Sequence, residues 1–220
     1  RSHRSDGPKT GHALTFTLDH SKGANHELPS GQAAPAPAAP KPAPPQASNT
    51  ADRRFADRKL GYAIDYPGDW MMEKSSTYTA LFSGRQGTEA YYATVRIQNV
   101  KPRTASDPKQ AVVGVVGDLK AKLSAGAEKL TYLAEGPFLY DRSGVRLEGH
   151  QFMVAYVNEG QRIRQWTVVM PRSTGTVTHI WSYATDDRRF DIFRPIAEQM
   201  LGSWNLDLAP AAQSAELTSR

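Results

Sequence analysis

After residue 50, apolar and polar side chains alternate with period two through most of the chain. In two places the spacing switches to three and four. Period two marks strands with one covered face, and a three-to-four spacing marks amphipathic helices. Residues 55–66 read as one strand with Tyr62, Ile64 and Tyr66 on one face, stopped by the turn residues Pro67, Gly68 and Asp69. A short strand follows at 79–82, and a glycine-bounded turn at 84–87 leads into a strand over 91–100. There Tyr91, Ala93, Val95 and Ile97 alternate with Tyr92, Thr94, Arg96 and Gln98.

A helix comes next. Ser106 or Asp107 is its cap, and Pro108 suits the first helical position because its missing N–H has no partner there anyway. Val112, Val115 or Val116, Leu119 and Leu123 form its apolar face, Lys120 and Lys122 sit toward the negative end of the helix dipole, and Gly126 ends it. Gly114 and Gly117 cost helix propensity, which points to close packing on a sheet. Four further strands are predicted at 130–135, 145–157, 162–170 and 176–184. Their hairpin-length connections make the sheet largely antiparallel. The apolar parity flips near Gly149: Val145 and Leu147 share one phase, Phe152, Val154 and Tyr156 the other, which a bulge at 149–151 would reconcile. A final helix carries Phe193, Ile196, Ala197, Met200 and Leu201. Asp186 or Asp187 lies at its start, and Pro195 sits in its first turn or kinks it.

Before this core the composition changes. Residues 33–46 are almost entirely alanine and proline. Proline fixes φ and removes donors, so this is an extended spacer or a plain linker of about 3.1 Å per residue. The organisation is thus a polar segment at 1–32, an Ala/Pro-rich linker at 33–50, an α+β domain at 51–208 and a tail at 209–220. Within the polar segment Leu14, Phe16 and Leu18 alternate with threonines, a candidate for strand addition to a sheet edge. The chain opens on Arg1, which fits a removed signal peptide, an excised anchor or a truncation.

Composition removes several chemistries. There is no cysteine, hence no disulfide, thiolate metal site or cysteine nucleophile. The net charge of +5 comes from lysines and arginines interleaved with acids, a mixed solvated surface and not a nucleic-acid footprint. Residues 111–117 form the longest apolar run, far short of the ~20 residues of a membrane helix. Membrane association would therefore need a segment outside this chain. No nucleophile elbow, phosphate loop or dinucleotide fingerprint is present. Asp141, Glu148 and Glu159 have no spacing that brings them together, and Asp186 and Asp187 read as a helix cap. His150 and His179 fall on strands; were they on one sheet face, they would line a pocket with Trp181 and Tyr183. No catalytic residue, metal site or cofactor is expected. The partner-binding candidates are Arg162, Arg164 and Trp166, which period two puts on one strand face, with Tyr91 and Tyr92 adding aromatic surface. The competing reading makes Trp166 core, with the arginine stems over its edge. Trp70, Trp181 and Trp204 read as structural.

The run Tyr66-Pro67-Gly68-Asp69-Trp70, then hairpin, helix, meander and a last helix closing in Leu201-Gly202-Ser203-Trp204, resembles the PsbP-like superfamily with its DcrB-like bacterial domains, over about residues 53–207. The resemblance implies an α-β-α sandwich around a central antiparallel sheet, and a binding or assembly module more than a catalyst. The expected role is a non-catalytic module that binds another protein or complex of the bacterial cell envelope, in the periplasm or otherwise outside the cytoplasm. An intracellular chaperone or adaptor, and a hydrolase with a dispersed site, are the alternatives.

Overall fold

The structure, a computed structural model, describes residues 51–101, 107–172 and 177–206. Leu14, Phe16 and Leu18, Ser106 and the turn at Ser173, Thr174 and Gly175 lie outside the described residues.

The element order is β1 (Arg53–Asp57), β2 (Tyr62–Tyr66), β3 (Met71–Ser76), β4 (Thr79–Ser83), a one-turn 3-10 helix (Glu89–Tyr92), β5 (Thr94–Val100), α1 (Pro108–Gly126), β6 (Glu128–Arg142), β7 (Val145–Asn158), β8 (Gln161–Pro171), β9 (Thr178–Asp186), α2 (Phe190–Ser203) and β10 (Asn205–Leu206). Seven strands form one antiparallel sheet in the order β3-β4-β5-β9-β8-β7-β6, and β1, β2 and β10 form a second, smaller sheet.

Helix α1 covers one face of the large sheet over β6 to β9, while α2 and the small sheet cover the other. On the α2 side, cross-strand rows such as Val95–Tyr183–Trp166 and Ile97–Trp181–Val168 meet Phe190, Phe193, Ala197, Met200 and Leu201. On the α1 side, Phe152, Val154, Tyr156, Ile163, Val169 and Ile180 meet Val112, Val115, Val116, Leu119 and Leu123. Both helices are therefore amphipathic because each has only one sheet face to bury. The β6–β7 and β7–β8 hairpins close through Ser143-Gly144 and Glu159-Gly160, with φ of 52°, 78°, 49° and 77°. Positive φ at both central residues matches the strand twist.

Several elements differ from the sequence reading. Residues 55–66 form a hairpin, not one strand, since Gly61 with φ +79° turns β1 into β2. The parity change at Gly149 involves no bulge: β7 stays in register with both neighbours there, and the register shifts lie in β6 between Glu128 and Thr131 and between Tyr132 and Ala134. The parity flips because Val145 and Leu147 pack on the α2 side while Phe152, Val154 and Tyr156 pack under α1. Gly114 and Gly117 do not mark close packing; both are exposed, with nothing within 4 Å of an added Cβ. Asp107 is the cap of α1, its carboxylate accepting from Lys109 N at 3.2 Å. Pro195 lies inside α2, exposed and beyond the first turn, and Arg189 occupies the cap position. Asp186 accepts from the Arg189 backbone N–H at 3.2 Å, so it braces the turn before the helix without capping it.

A polar pair, His179 and Asn99, is sealed in the α2-side core. His179 is fully buried, its Nδ1–H donates to Asn99 Oδ1 at 2.6 Å, and the Tyr62 and Trp204 rings flank it. Asn99 Nδ2 donates in turn to Tyr78 O at 3.0 Å. Burial, assisted by the charge of Arg172, pushes the imidazole down to about 3.

Two predictions follow from this packing. Gly149→Ala places a Cβ 2.2 Å from Met170 Sδ and 2.3 Å from Val169 O, an overpacking that costs about 1–3 kcal/mol. Gly117→Ala meets nothing and gains about 0.5–1 kcal/mol of helix propensity. Denaturant unfolding of both variants reads the opposite signs. For His179 the unfolded chain binds its proton near pH 6.5 and the folded chain only near about pH 3. Its stabilising contribution is therefore complete above pH 6.5 and is lost as pH falls toward 3, at up to about 1.4 kcal/mol per pH unit. An NMR titration should show this imidazole still neutral at pH 5; protonation near 6.5 in the folded state would contradict it.

Candidate functional site

Of the described residues, the large apolar side chains that remain exposed include Val113, Tyr132, Leu133 and Leu139, and these gather on α1 and β6. β6 is an edge strand of the large sheet. Side chains alternate faces along a strand, so the cross-strand pairs place Tyr132 with Val154, Glu135 with Phe152, Pro137 with His150 and Leu139 with Glu148, all on the face that α1 covers. Where α1 diverges from this edge it leaves a cleft of about 440 Å³, lined by Lys109, Val112, Val113, Val116, Glu135, Glu148, Gly149 and His150.

The valines come from one face of α1, at spacings of three and four, and make an apolar wall. The strands supply the charges. Glu135 Oε1 accepts from both Lys120 Nζ and His150 Nε2, the latter at 2.8 Å. Lys120 and His150 hold the Glu135 carboxyl below the usual carboxylate range, the hydrogen bond from Lys120 being the larger effect. Lys120 is held in turn by the Tyr132 and Phe152 rings, 5.2 and 6.0 Å from their centroids. At the other end of the cleft Lys109 Nζ lies 3.3 Å from Glu148 Oε2, with both side chains more than half exposed. Such a pair is worth little and exchanges partners readily. Gly149 is required here because its missing side chain admits Met170 and the Val169 carbonyl behind the cleft.

The residues expected from sequence lie elsewhere. Arg162, Arg164 and Trp166 do share a face, the one α2 covers. Arg164 Nε donates to Asp187 Oδ1 at 2.7 Å, its Nη1 reaches the Asp191 carboxylate at 3.1 Å, and its guanidinium stacks 4.9 Å from the Phe190 ring. Arg162 reaches the same Asp187 at 3.3 Å. Trp166 is half-buried, edge-on to Trp181 at 5.3 Å, with Nε1–H donating to Gln151 at 3.1 Å. These contacts fasten the start of α2 to the sheet. Tyr91 and Tyr92 lie on the one-turn helix Glu89–Tyr92, not on a strand, closed by Tyr91 N to Thr88 O and Ala93 N to Ala90 O. The Arg189 guanidinium lies 4.9 Å above the Tyr92 ring.

His150 and His179 stand on opposite faces of the sheet, His150 under α1 and His179 in the α2-side core, so they form no common pocket. Asp141 pairs with Arg146 and Glu148 with Lys109, while Glu159 sits at a hairpin turn; the three do not converge. Among the described residues no group of three or more histidine or acidic side chains is placed to hold a metal. Trp70, Trp181 and Trp204 are all fully buried.

Sequence reasoning missed Lys109, Val113, Glu135 and Leu139. One signal was present for Leu139. In the run Phe138-Leu139-Tyr140 consecutive side chains must face opposite ways. With Phe138 and Tyr140 packed into the α2-side core, Leu139 has to stand on the other face, where it is 74 % exposed.

No family model matches the chain, and no curated protein does. Solved structures do. Cyanobacterial PsbP (CyanoP) from Synechocystis sp. PCC 6803 superposes with a TM-score of 0.50 at 13 % identity, over 76 % of this chain and 99 % of that one. The Ran-binding protein Mog1p of Saccharomyces cerevisiae gives 0.49 at 12 % identity, over 72 % and 96 %. LpqN of Mycobacterium tuberculosis, described as involved in cell envelope biogenesis, gives 0.47 at 15 % identity, over 73 % and 88 %. At these identities the likeness to CyanoP speaks for the fold alone. It joins a Tyr66–Trp70 turn that carries the chain from the small sheet to the large one, and an antiparallel sheet with a helix on each face. The domain has the PsbP-like fold.

Proposed function

We propose that this domain is a non-catalytic protein-binding module of the bacterial cell envelope, carried on an Ala/Pro-rich tether at residues 33–50. The observation that carries the reading is the valine-walled cleft between α1 and the β6–β7 edge, with Leu139, Val113, Tyr132 and Leu133 exposed around it. Apolar side chains gathered at one place and rimmed by charge mark a protein contact.

The chemistry of the lining supports binding over turnover. Its one imidazole–carboxylate pair, His150–Glu135, has lysine as the neighbouring group, and the lining contains no serine, threonine or cysteine to activate. The envelope assignment is supported by the composition of the segment before the domain. No helix among the described residues is long and apolar enough to cross a membrane. Arg162, exposed beside Asp187, and Tyr92 offer a second, smaller contact patch near the start of α2.

Photo-crosslinking residues placed in cells at Val113, Leu139 and, as a control on the opposite sheet edge, Tyr78 test the reading. A discrete adduct in the envelope fraction, formed from positions 113 and 139 and absent from 78, is expected. No adduct from the cleft positions would overturn the binding module. An adduct confined to the cytosol would move the protein to the intracellular-adaptor reading.

A further inference from the structure

The cleft and a side chain suited to fill it lie on one face of the protein. Leu139 is 74 % exposed, the most of any large apolar side chain among the described residues. It shares a row with Glu148, which lines the cleft, while Leu139 itself stands outside the lining. The cleft, about 440 Å³ and walled by Val112, Val113 and Val116, has room for a leucine side chain. A projecting apolar group beside an apolar recess is what a self-complementary surface requires. A two-fold axis passing between them sets each projection over the recess of the other copy.

The charges of this face agree with such a contact. Two lysines, Lys109 and Lys120, stand against two glutamates, Glu148 and Glu135. A face without net charge selects neither an acidic nor a basic partner. It also lets two copies of a chain that carries +5 meet there without like-charge repulsion. The Lys109–Glu148 pair, 3.3 Å apart, is itself self-complementary. An ion pair is a dipole, and a two-fold axis beside it places a second pair antiparallel, so that each lysine also faces the other copy's glutamate. Both side chains are more than half exposed, which leaves them able to adjust to that arrangement.

Resting on the binding-module reading above, we infer that the partner at this face is a second copy of the same chain. Leu139 of each copy enters the cleft of the other and packs on Val113, and the two Lys109–Glu148 pairs alternate in sign around the axis. The two β6 edges do not join into one sheet. Pro137 has no N–H to donate, and the two register shifts in β6 distort its edge, both of which blunt strand addition. The contact is made by side chains, and symmetry repeats it twice.

Sedimentation equilibrium of the full chain tests this. The mass should rise from 24.2 kDa toward twice that value between roughly 1 and 500 μM. Leu139→Asp and Val113→Lys, at positions 74 % and 65 % exposed, leave the circular dichroism spectrum and melting unchanged. Leu139→Asp removes a leucine from both halves of the interface and should weaken the dimer by about 100-fold, at roughly tenfold for each leucine. Lys109→Glu and Glu148→Lys each gather four like charges around the axis and should weaken it by about fivefold. An equimolar mixture of these two variants should associate as the unaltered chain does, a rescue that only contact between copies produces. A single 24.2 kDa species at about 500 μM, a dimer indifferent to Leu139→Asp and Val113→Lys in folded protein, or charge variants that weaken the dimer without rescue in the mixture would overturn the inference. In cells, an adduct of two chains formed from positions 113 and 139 supports it. An adduct with a different protein alone would sink this inference and leave the binding module standing, and no adduct from the cleft would remove the reading beneath it.

Discussion

Seven antiparallel strands must be covered on both faces, and the described residues supply two long helices and a three-stranded flap to cover them with. That constraint organises the molecule. Where both faces are covered, strands lose their alternation: β8 is buried at every position from Thr167 to Pro171, and β9 from Thr178 to Tyr183. The α2-side cover is held by polar latches as well as by apolar area. Tyr183 OH donates to Phe190 O at the start of α2, Arg142 donates to Leu201 O and Trp204 O at its end, and Tyr140 OH accepts from Leu206 N of the flap. These bonds tie the two ends of α2 and the flap to the large sheet. The arginine row on β8 belongs to the same system. Arg164 is held by Asp187 and Asp191 over the Phe190 ring because α2 must be seated there.

The α1-side cover is incomplete, and this places the cleft. A single helix spans β6 to β9 and departs from the sheet on the β6 side. Apolar residues there, Val113 and Leu139 foremost, are left exposed by the described residues. The edge itself is protected from indiscriminate pairing by Pro137 and by the irregular register of its first half.

Much of the framework was legible in sequence because its causes are local. Asp107 with Pro108 and the valine–leucine spacing specified α1, and glycines at positive φ specified two hairpins. Readings failed where the cause was not local. The parity change in β7 looked like a bulge because sequence carries the alternation but not which layer covers each half of a strand. Gly114 and Gly117 suggested close packing, yet a helix has an outer face where glycine is merely tolerated. Tyr91 and Tyr92 continued the alternation of β5 but were drawn into a 3-10 turn, with Ala90 packed against Gly84. The cleft was not legible at all. It depends on how α1 lies over the β6–β7 edge and on the register that brings Glu135 beside His150, and neither follows from spacing along one chain.

The electrostatics of Glu135 bear on what kind of site this is. A carboxylate serving as an acid or base near neutral pH needs a raised pKa, which burial away from cations supplies. Glu135 has the opposite surroundings: a lysine and an imidazole converge on one oxygen, and its carboxyl is held below the ordinary range. It therefore stays ionised through the physiological range and is a poor proton carrier. It is also oriented, because two donors on Oε1 fix the plane of the group and leave the second oxygen as an acceptor of defined position. An oriented, ionised acceptor beside an apolar wall agrees with the binding role proposed above. The same Lys120 that ties α1 to the sheet through Glu135 rests on Tyr132 and Phe152. The Lys120–Glu135 pair beside the cleft thus also ties α1 to the sheet edge.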